Sequence, residues 1–192
     1  MAAIHLGGTP RLLNSRIIVA FSEMEDRFSG LHFVPVAFSP LRRRELTDLA
    51  SAKGLVLARP VVDPSAVVFS SSRIRDGAFI GAGTVVGALT ILGTCCLLNR
   101  SASIGHHCVI GDYASIGPGT TLASNVRIGE GCLVGAGSTI LPNVEIGAGA
   151  VIAAGSVVRK SVKPGMLVSG NPARELRPRA SPATSRSDNQ DE

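Results

Sequence analysis

The sequence predicts a mainly β fold, in which a parallel β-helix of hexapeptide repeats follows a small α/β unit. Branched aliphatic residues recur at every sixth position from Val62 to Val158, which makes 17 consecutive matches in one register. Glycine follows most of them, and in most repeats a small side chain stands two positions before the aliphatic. A unit this short cannot bury a face by itself, so the repeats must coil and stack on one another.

Three hexapeptides make one triangular turn, and the 17 repeats therefore predict between five and six turns. At the usual strand spacing of about 4.8 Å, such a stack is roughly 25 to 30 Å tall. Residues that are 18 apart lie above one another, so Ile80, Leu98 and Ile116 belong to one of three aliphatic columns that form the predicted core. The glycine after each aliphatic is expected where the corner backbone is left-handed or cramped.

Composition and pattern divide the chain into four segments. Residues 1–59 have the character of a small α/β subdomain, and residues 60–163 form the predicted β-helix. Residues 164–180 are a C-terminal extension. Residues 181–192 are polar and lack bulky apolar side chains, which predicts a disordered tail.

The first segment combines short apolar runs with one helical pattern. Strands are expected over 16–21, 32–38 and 55–57. A helix is expected over 40–53, where leucines recur at helical spacing and Gly54 follows as a stop signal. The unit is too short for a complete nucleotide-binding sheet.

The charge pattern excludes some classes of function. The net charge is +5, and part of it comes from Arg42, Arg43 and Arg44, which are expected to form a solvated face of the helix. One tyrosine and no tryptophan offer little aromatic surface for stacking bases, so no nucleic-acid partner is expected. Glycine interrupts the apolar runs and the first residues lack a leader pattern, so we expect no membrane partner and a cytoplasmic location.

The four cysteines are expected to be structural. Cys96, Cys108 and Cys132 occupy the small inward position of their repeats, and Cys95 adjoins one of them. No paired spacing suited to zinc is present, and we expect no metal.

Two adjacent histidines stand at a predicted corner of the coil. His106 and His107 follow Gly105 directly, at a place where a side chain can point away from the packed interior. The other two histidines, His5 and His32, lie outside the coil. His106 and His107 are therefore the candidates for chemistry.

The segment from Asn99 to Tyr113, NRSASIGHHCVIGDY, resembles the hexapeptide-repeat sugar O- and N-acetyltransferases, typified by sialic-acid O-acetyltransferase and the UDP-4-amino-sugar N-acetyltransferases. The run GNPAR, from Gly170 to Arg174, resembles the segment in which hexapeptide acyltransferases leave the coil. This resemblance implies a left-handed parallel β-helix, acetyl-CoA as co-substrate, a sugar or amine acceptor, and a homotrimer with cofactor grooves between neighbouring chains. It also implies that the reduced N-terminal region binds the acceptor and that the C-terminal extension lies near the cofactor groove.

The resemblance also assigns roles to single residues. It makes His106 the general base, which removes a proton from the acceptor, and it makes Asn99 a substrate-binding residue. His107 stands where the family commonly has an acid that strengthens the base, and we count it with His106 as catalytic. Asp112 is an alternative partner for the base.

Five further positions are assigned to the cofactor by the resemblance and by charge. Ser115 replaces a second histidine of the family and keeps a hydroxyl that can donate a hydrogen bond. Ser124, Ala136 and Ala154 are expected to contact the cofactor through backbone groups, and the Ser124 N–H is expected to bind the developing oxyanion. Lys160 is assigned to a phosphate by its charge alone.

Three functions remain open at this stage. The first is transfer of an acetyl group from acetyl-CoA to an amine or hydroxyl of a sugar, with a nucleotide-linked sugar among the candidates. The second is a metal-dependent enzyme of the γ-carbonic anhydrase type, which needs three histidines from two neighbouring chains, whereas this coil has two at unsuitable spacing. The third is a β-helix that assembles but has no catalytic activity.

Overall fold

The structure is a computed structural model that describes residues 3–5, 18–20 and 28–178. The predicted tail at 181–192 lies outside the described residues. The described chain is mainly β, and its parallel coils stack into a solenoid of about six turns after a small N-terminal region. The predicted solenoid of hexapeptide coils is confirmed.

The described residues of the N-terminal region form two pairs of parallel strands and one helix. Strand β1 (Ala3–His5) pairs with β2 (Ile18–Ala20), and β3 (His32–Phe33) pairs with β4 (Val56–Leu57). Helix α1 (Pro40–Ala52) connects β3 to β4, so this part is a small α/β unit as predicted.

The bounds of these elements have local causes. Strand β3 is shorter than the predicted strand, because Pro35 lacks the N–H that a partner strand would use. Helix α1 begins at Pro40, and the Ser39 side chain caps it by accepting a hydrogen bond from the Arg42 N–H at 3.4 Å. Beyond its end, Gly54 has a left-handed φ of +76°. No helix within the described residues has the length and apolarity that crossing a bilayer requires.

Strands of two residues each recur every six residues through the solenoid. Except for the last three, each pairs in parallel with the strand three places later, and the register joins residues 18 apart, so the strands form three stacks that are the faces of the coil. The strands are β5 (Val61–Val62), β6 (Val67–Val68), β7 (Arg73–Ile74), β8 (Phe79–Ile80), β9 (Val85–Val86), β10 (Ile91–Leu92), β11 (Leu97–Leu98), β12 (Ser103–Ile104), β13 (Val109–Ile110), β14 (Ser115–Ile116), β15 (Thr121–Leu122), β16 (Arg127–Ile128), β17 (Leu133–Val134), β18 (Thr139–Ile140), β19 (Glu145–Ile146), β20 (Val151–Ile152) and β21 (Val157–Val158).

From β8 to β21, the second residue of each strand points inwards and builds the core. Ile80, Leu98 and Ile116 are fully buried and follow one another in register, as the sequence predicts. Complete burial of one such side chain is worth about 1.5–3 kcal/mol relative to an exposed one. The stacked columns are therefore the main source of stability in the solenoid.

The corners contain two different glycine positions. The first directly follows the strand, and a Cβ on Gly117 would lie 2.6 Å from the backbone N of Ala136 in the next coil. The second comes two residues later and has a positive φ, as at Gly119 with +64°, where a Cβ would meet no atom within 4 Å. Asn125 and Asn143 also occupy this left-handed position. The glycine that directly follows each strand, which the sequence pattern identifies, is therefore needed for lack of space. The left-handed backbone belongs to the residue two positions later.

Two substitutions in the same corner should separate these requirements. Gly117→Ala pushes a methyl group into the backbone of the next coil, so we expect it to lower the free energy of unfolding by about 1–3 kcal/mol. Gly119→Asn enters open space with a residue type that tolerates a left-handed backbone, so we expect a change below about 1 kcal/mol. Urea denaturation of the two variants measures the difference, and equal losses would contradict the assignment.

A hairpin covers the last turn. Strand β22 (Met166–Gly170) pairs in parallel with β20 and continues its stack, with Val168 buried beside Ile152. Strand β23 (Ala173–Pro178) pairs antiparallel with β22.

A buried arginine anchors helix α1 to the solenoid. Arg43 has no exposed surface, and its Nε donates a hydrogen bond to the Cys95 carbonyl at 2.7 Å. Its Nη2 donates to the Tyr113 carbonyl at 2.5 Å and to Ser115 Oγ at 2.9 Å. Burial lowers the pKa of Arg43, because it disfavours the charged form. The prediction of a solvated arginine face is therefore wrong for Arg43.

The two neighbouring arginines remain partly exposed. Arg44 forms an ion pair with Glu130, and its guanidinium lies 4.2 Å from the centroid of the Tyr113 ring. Arg42 pairs with Glu45 at 2.9 Å on the same helix. Arg44 thus adds a second contact to the solenoid, while Arg42 is solvated as predicted.

Candidate active site

The three corners of each turn stack into three outer edges, on which equivalent residues are 18 apart. Each edge is named here after one group on it. The histidine edge is the stack of His106, Ser124, Pro142 and Lys160. The asparagine edge is the stack of Arg100, Pro118, Ala136 and Ala154, together with Asn99. The helix edge is the stack of Thr94, Asp112 and Glu130, against which α1 packs.

The histidine edge presents an exposed pair of imidazoles. His106 and His107 have Nδ1 atoms 2.8 Å apart, and their rings are inclined by 84°. The Nε2 of His106 lies 2.9 Å from Oγ of Ser124, one coil further along the same edge. The Asn125 N–H donates to the His106 carbonyl at 3.0 Å and ties this corner to the next coil. The prediction that His106 points outwards is confirmed.

Asp112 is not a partner of this pair. It lies on the helix edge, where its Oδ1 accepts a hydrogen bond from the Thr94 N–H at 2.8 Å. The alternative role given to Asp112 is therefore wrong, and the group in contact with His106 Nδ1 is His107. The corners on either side of the pair, residues 87–90 and 123–126, contain no ionisable side chain.

The Ser124 N–H is at a corner position where, on the other two edges, the backbone N–H donates a hydrogen bond to a side-chain oxygen and not to a neighbouring strand. On the helix edge, the equivalent Thr94 N–H donates to the Asp112 carboxylate. On the asparagine edge, the equivalent Arg100 N–H donates to Asn99 Oδ1 at 2.8 Å. An amide at this position can therefore meet an acceptor that lies on the outer surface.

Apart from Ser115, the predicted site residues lie on two edges of one chain. Ser124 and Lys160 share the histidine edge with His106, and Ser124 is in direct contact with it. Asn99, Ala136 and Ala154 are on the asparagine edge, at the other end of the face that β12 crosses. A single chain therefore does not bring these three residues to His106.

The prediction that Ser115 contacts the cofactor is wrong. Its side chain is fully buried under the N-terminal region. The hydroxyl donates to the Phe38 carbonyl at 2.7 Å and accepts from Arg43 Nη2. Because the donor is already used inside the protein, Ser115 has no hydrogen to offer a ligand.

A basic cleft lies where the histidine edge ends. Its volume is about 640 Å³, and its lining includes Arg159, Lys160 and Arg174 with a single acid, Glu175. Lys160 stands three coils beyond His106, which is about 14 Å along the edge at the usual strand spacing. The sequence predicts a phosphate contact at Lys160 but not at Arg159, although both residues come directly after Val158, the last aliphatic of the repeat.

The cysteines are buried, in agreement with the structural role predicted for them. Burial raises the pKa of Cys96 to about 12 and that of Cys132 to about 11. Such thiols stay protonated near neutral pH and are poor nucleophiles. Among the described residues, no group of three or more His, Cys, Asp or Glu side chains is arranged to hold a metal ion.

Known proteins share this repeat and this solenoid. The family model "Bacterial transferase hexapeptide (six repeats)" matches residues 125–160. The acetyltransferase domain of PglB from Neisseria gonorrhoeae, solved with acetyl coenzyme A, is 27% identical with a TM-score of 0.80, and the match covers 91% of this chain and 86% of that one. WeeI from Acinetobacter baumannii is 28% identical with a TM-score of 0.81, and the match covers 91% and 85%.

A third solved structure was determined with both CoA and a sugar nucleotide. PerB from Caulobacter crescentus, in complex with CoA and GDP-perosamine, is 29% identical with a TM-score of 0.74, and the match covers 77% of this chain and 70% of that one. No curated protein matches the chain. With the unbroken hexapeptide ladder, these matches show that the chain shares the hexapeptide repeat and the solenoid of these structures, among which are sugar N-acetyltransferases.

Proposed function

We propose that the protein transfers an acetyl group from acetyl-CoA to an amine or a hydroxyl of a sugar. The observation that carries the proposal is the exposed His106, whose Nε2 lies 2.9 Å from Ser124 Oγ on an outer edge of the coil. The similar PglB domain was solved with acetyl coenzyme A, and PerB with CoA and GDP-perosamine. A nucleotide-linked amino sugar is therefore the first acceptor to test.

In this proposal His106 is the general base. Its Nε2 takes the proton from the acceptor while the acceptor's nitrogen or oxygen forms a bond to the thioester carbonyl carbon. The Ser124 N–H donates a hydrogen bond to the oxyanion that develops on the carbonyl oxygen. The carbon–sulfur bond then breaks, and the proton on His106 passes to the leaving thiolate, which gives CoA thiol and the acetylated sugar with His106 neutral again.

The cofactor is proposed to lie along the histidine edge. Its thioester would sit beside His106, and its phosphates would reach the cleft that holds Arg159, Lys160 and Arg174. The three coils between them correspond to about 14 Å, a length that an extended pantetheine arm can bridge. Charge supports this direction, because cations that surround a phosphate form strong, charge-assisted hydrogen bonds.

A charge reversal in the cleft should weaken acetyl-CoA binding without slowing the chemistry. Lys160→Glu is expected to raise the KM for acetyl-CoA roughly tenfold, which corresponds to about 1.4 kcal/mol, with kcat changed much less. Lys163→Glu is the matched control, because Lys163 is exposed and lies outside the cleft lining. Steady-state kinetics measure both, and equal KM values for the two variants would contradict the phosphate role.

The division of the site between two edges supports a further part of the proposal, a homotrimer. A cyclic arrangement can place the asparagine edge of one chain against the histidine edge of the next. Asn99, Ala136 and Ala154 would then approach the His106 of a neighbouring chain and complete the cofactor groove. Sedimentation equilibrium tests this, and a monomer at assay concentrations would contradict it.

The test of the activity is an incubation with acetyl-CoA and a panel of acceptors, followed by measurement of free CoA thiol. The panel contains nucleotide-linked amino sugars, free amino sugars, hydroxy sugars and simple amines. Since the protein's own cysteines are buried, their contribution to the signal is small. Thiol release that stays at the level of a His106→Ala variant with every acceptor would contradict the transferase and favour a coil without activity.

A further inference from the structure

The two histidines share one hydrogen bond, and this limits their protonation. Their Nδ1 atoms lie 2.8 Å apart, so one ring must donate an Nδ1–H and the other must accept it with a lone pair. Two Nδ1–H groups facing each other at this distance would repel. The pair therefore has two arrangements, which differ in whether His106 or His107 is the donor.

Only one arrangement leaves a base on His106. If His107 donates, His106 carries its proton on Nε2 and gives it to Ser124 Oγ at 2.9 Å, so no lone pair is left for the acceptor. If His106 donates, its Nε2 holds a lone pair, which the Ser124 hydroxyl can occupy until a substrate displaces it. Moreover, once Nε2 has taken a proton, both nitrogens of His106 carry hydrogen. His107 must then be the acceptor.

We propose that His107 is a positioning residue, which accepts the Nδ1–H of His106 and so holds the catalytic ring in its basic tautomer. The inference rests on the function proposed above. No ionisable side chain at the adjoining corners, residues 87–90 and 123–126, offers a charged alternative. The backbone of His107 is fixed at its corner, where its φ is 59° and its N–H donates to the Ala88 carbonyl at 2.9 Å. A neutral imidazole thus takes the role that an acid has in the family this segment resembles.

The corner itself supplies a matched pair of variants. The equivalent left-handed position is leucine at Leu89, with φ 59°, and asparagine at Asn125, with φ 60°, so both residue types fit this backbone. His107→Asn keeps an acceptor, because asparagine Oδ1 is as many bonds from the backbone as histidine Nδ1. His107→Leu removes the acceptor. Thermal unfolding of the two variants verifies that both remain folded.

Kinetics and nitrogen NMR together test the proposal. We expect His107→Leu to lower kcat about 10- to 100-fold, as loss of a histidine's orienting partner commonly does, with KM for acetyl-CoA changed less than about threefold. His107→Asn is expected to stay within about threefold of the unchanged protein in kcat. In ¹⁵N spectra of the unchanged protein near neutral pH, the proton of neutral His106 should be on Nδ1 and that of His107 on Nε2.

The outcomes distinguish this proposal from the function on which it rests. An unchanged kcat in His107→Leu, or spectra that place the shared proton on His107 Nδ1, would overturn the positioning role even if acetyl transfer is observed. If the unchanged protein transfers no acetyl group, the function fails, and the spectra alone decide which ring donates. Leu89→Ala, at the same corner position of the preceding coil, is expected to leave kcat unchanged.

Discussion

Acetyl transfer by the His106→Ala variant is expected to be about 10²- to 10⁴-fold slower than transfer by the unchanged protein. The variant removes the group that takes the acceptor proton, while it leaves the Ser124 N–H and the basic cleft in place. The KM for acetyl-CoA should therefore change little, and the loss should appear in kcat. The stability of the solenoid should also be kept, because the His106 side chain is exposed and contributes nothing to the core.

His32→Ala is the control for this variant. His32 is exposed on β3, outside the solenoid, so its removal should leave both activity and stability unchanged. Initial rates of CoA thiol release, measured with the best acceptor of the panel, compare the three proteins. A His106→Ala rate within about threefold of the unchanged protein would rule out a general base at this position.

Arg43→Met is expected to cause the largest loss of stability, about 3–5 kcal/mol in the free energy of unfolding. The strand ladder uses the carbonyls of Cys96 and Ala114. Arg43 bonds the carbonyls of the residues before them, Cys95 and Tyr113, and it also donates to the Ala114 carbonyl at 3.0 Å. Without the guanidinium, the carbonyls of Cys95, which is buried, and of Tyr113, which is partly buried, lose their donor under α1. A buried acceptor without a partner costs about 1–3 kcal/mol, and several are affected together.

Two companions make the arginine test specific. Arg42→Met removes the same charge from an exposed ion pair with Glu45, and we expect a loss below about 1 kcal/mol. Arg43→Lys keeps the charge but not the planar fork of donors, so an intermediate loss is expected. Urea denaturation gives the three values, and hydrogen exchange in α1 shows whether the helix detaches first. Equal values for Arg42→Met and Arg43→Met would contradict the anchoring role.

The solenoid could be predicted in detail because the residue pattern within each repeat determines the local structure of that repeat. The aliphatic at every sixth position fixes the strand, the inward side chain and the register of 18 at once, so residues such as Leu98 and Ile116 could be placed before any coordinates. The outward direction of His106 followed from its place at a corner. Each of these inferences depends on contacts between adjacent coils, which the period itself specifies.

The errors concern contacts between parts of the chain that the period does not relate. Arg43 lies in a helix that contains three consecutive arginines. The sequence of this helix does not indicate that it covers an edge of the solenoid or that one of the arginines is buried there. The burial of Ser115 follows from the same docking, since Arg43 and Phe38 use its hydroxyl. Asp112 is near His106 in sequence, but six residues of a triangular coil carry the chain to another edge.

The spacing of the coils sets a rule for how the length of this site can change. A segment of 18 residues added between Ser124 and Lys160 would move the cations away from the imidazole by one rung, about 4.8 Å, and leave both on the same side. An insertion of six residues would instead rotate the following coils by a third of a turn, so that the cations would lie on a different edge from His106. The distance between the imidazole and the cations can therefore change only in steps of one whole turn, and ligands of different length can be accommodated only in those steps.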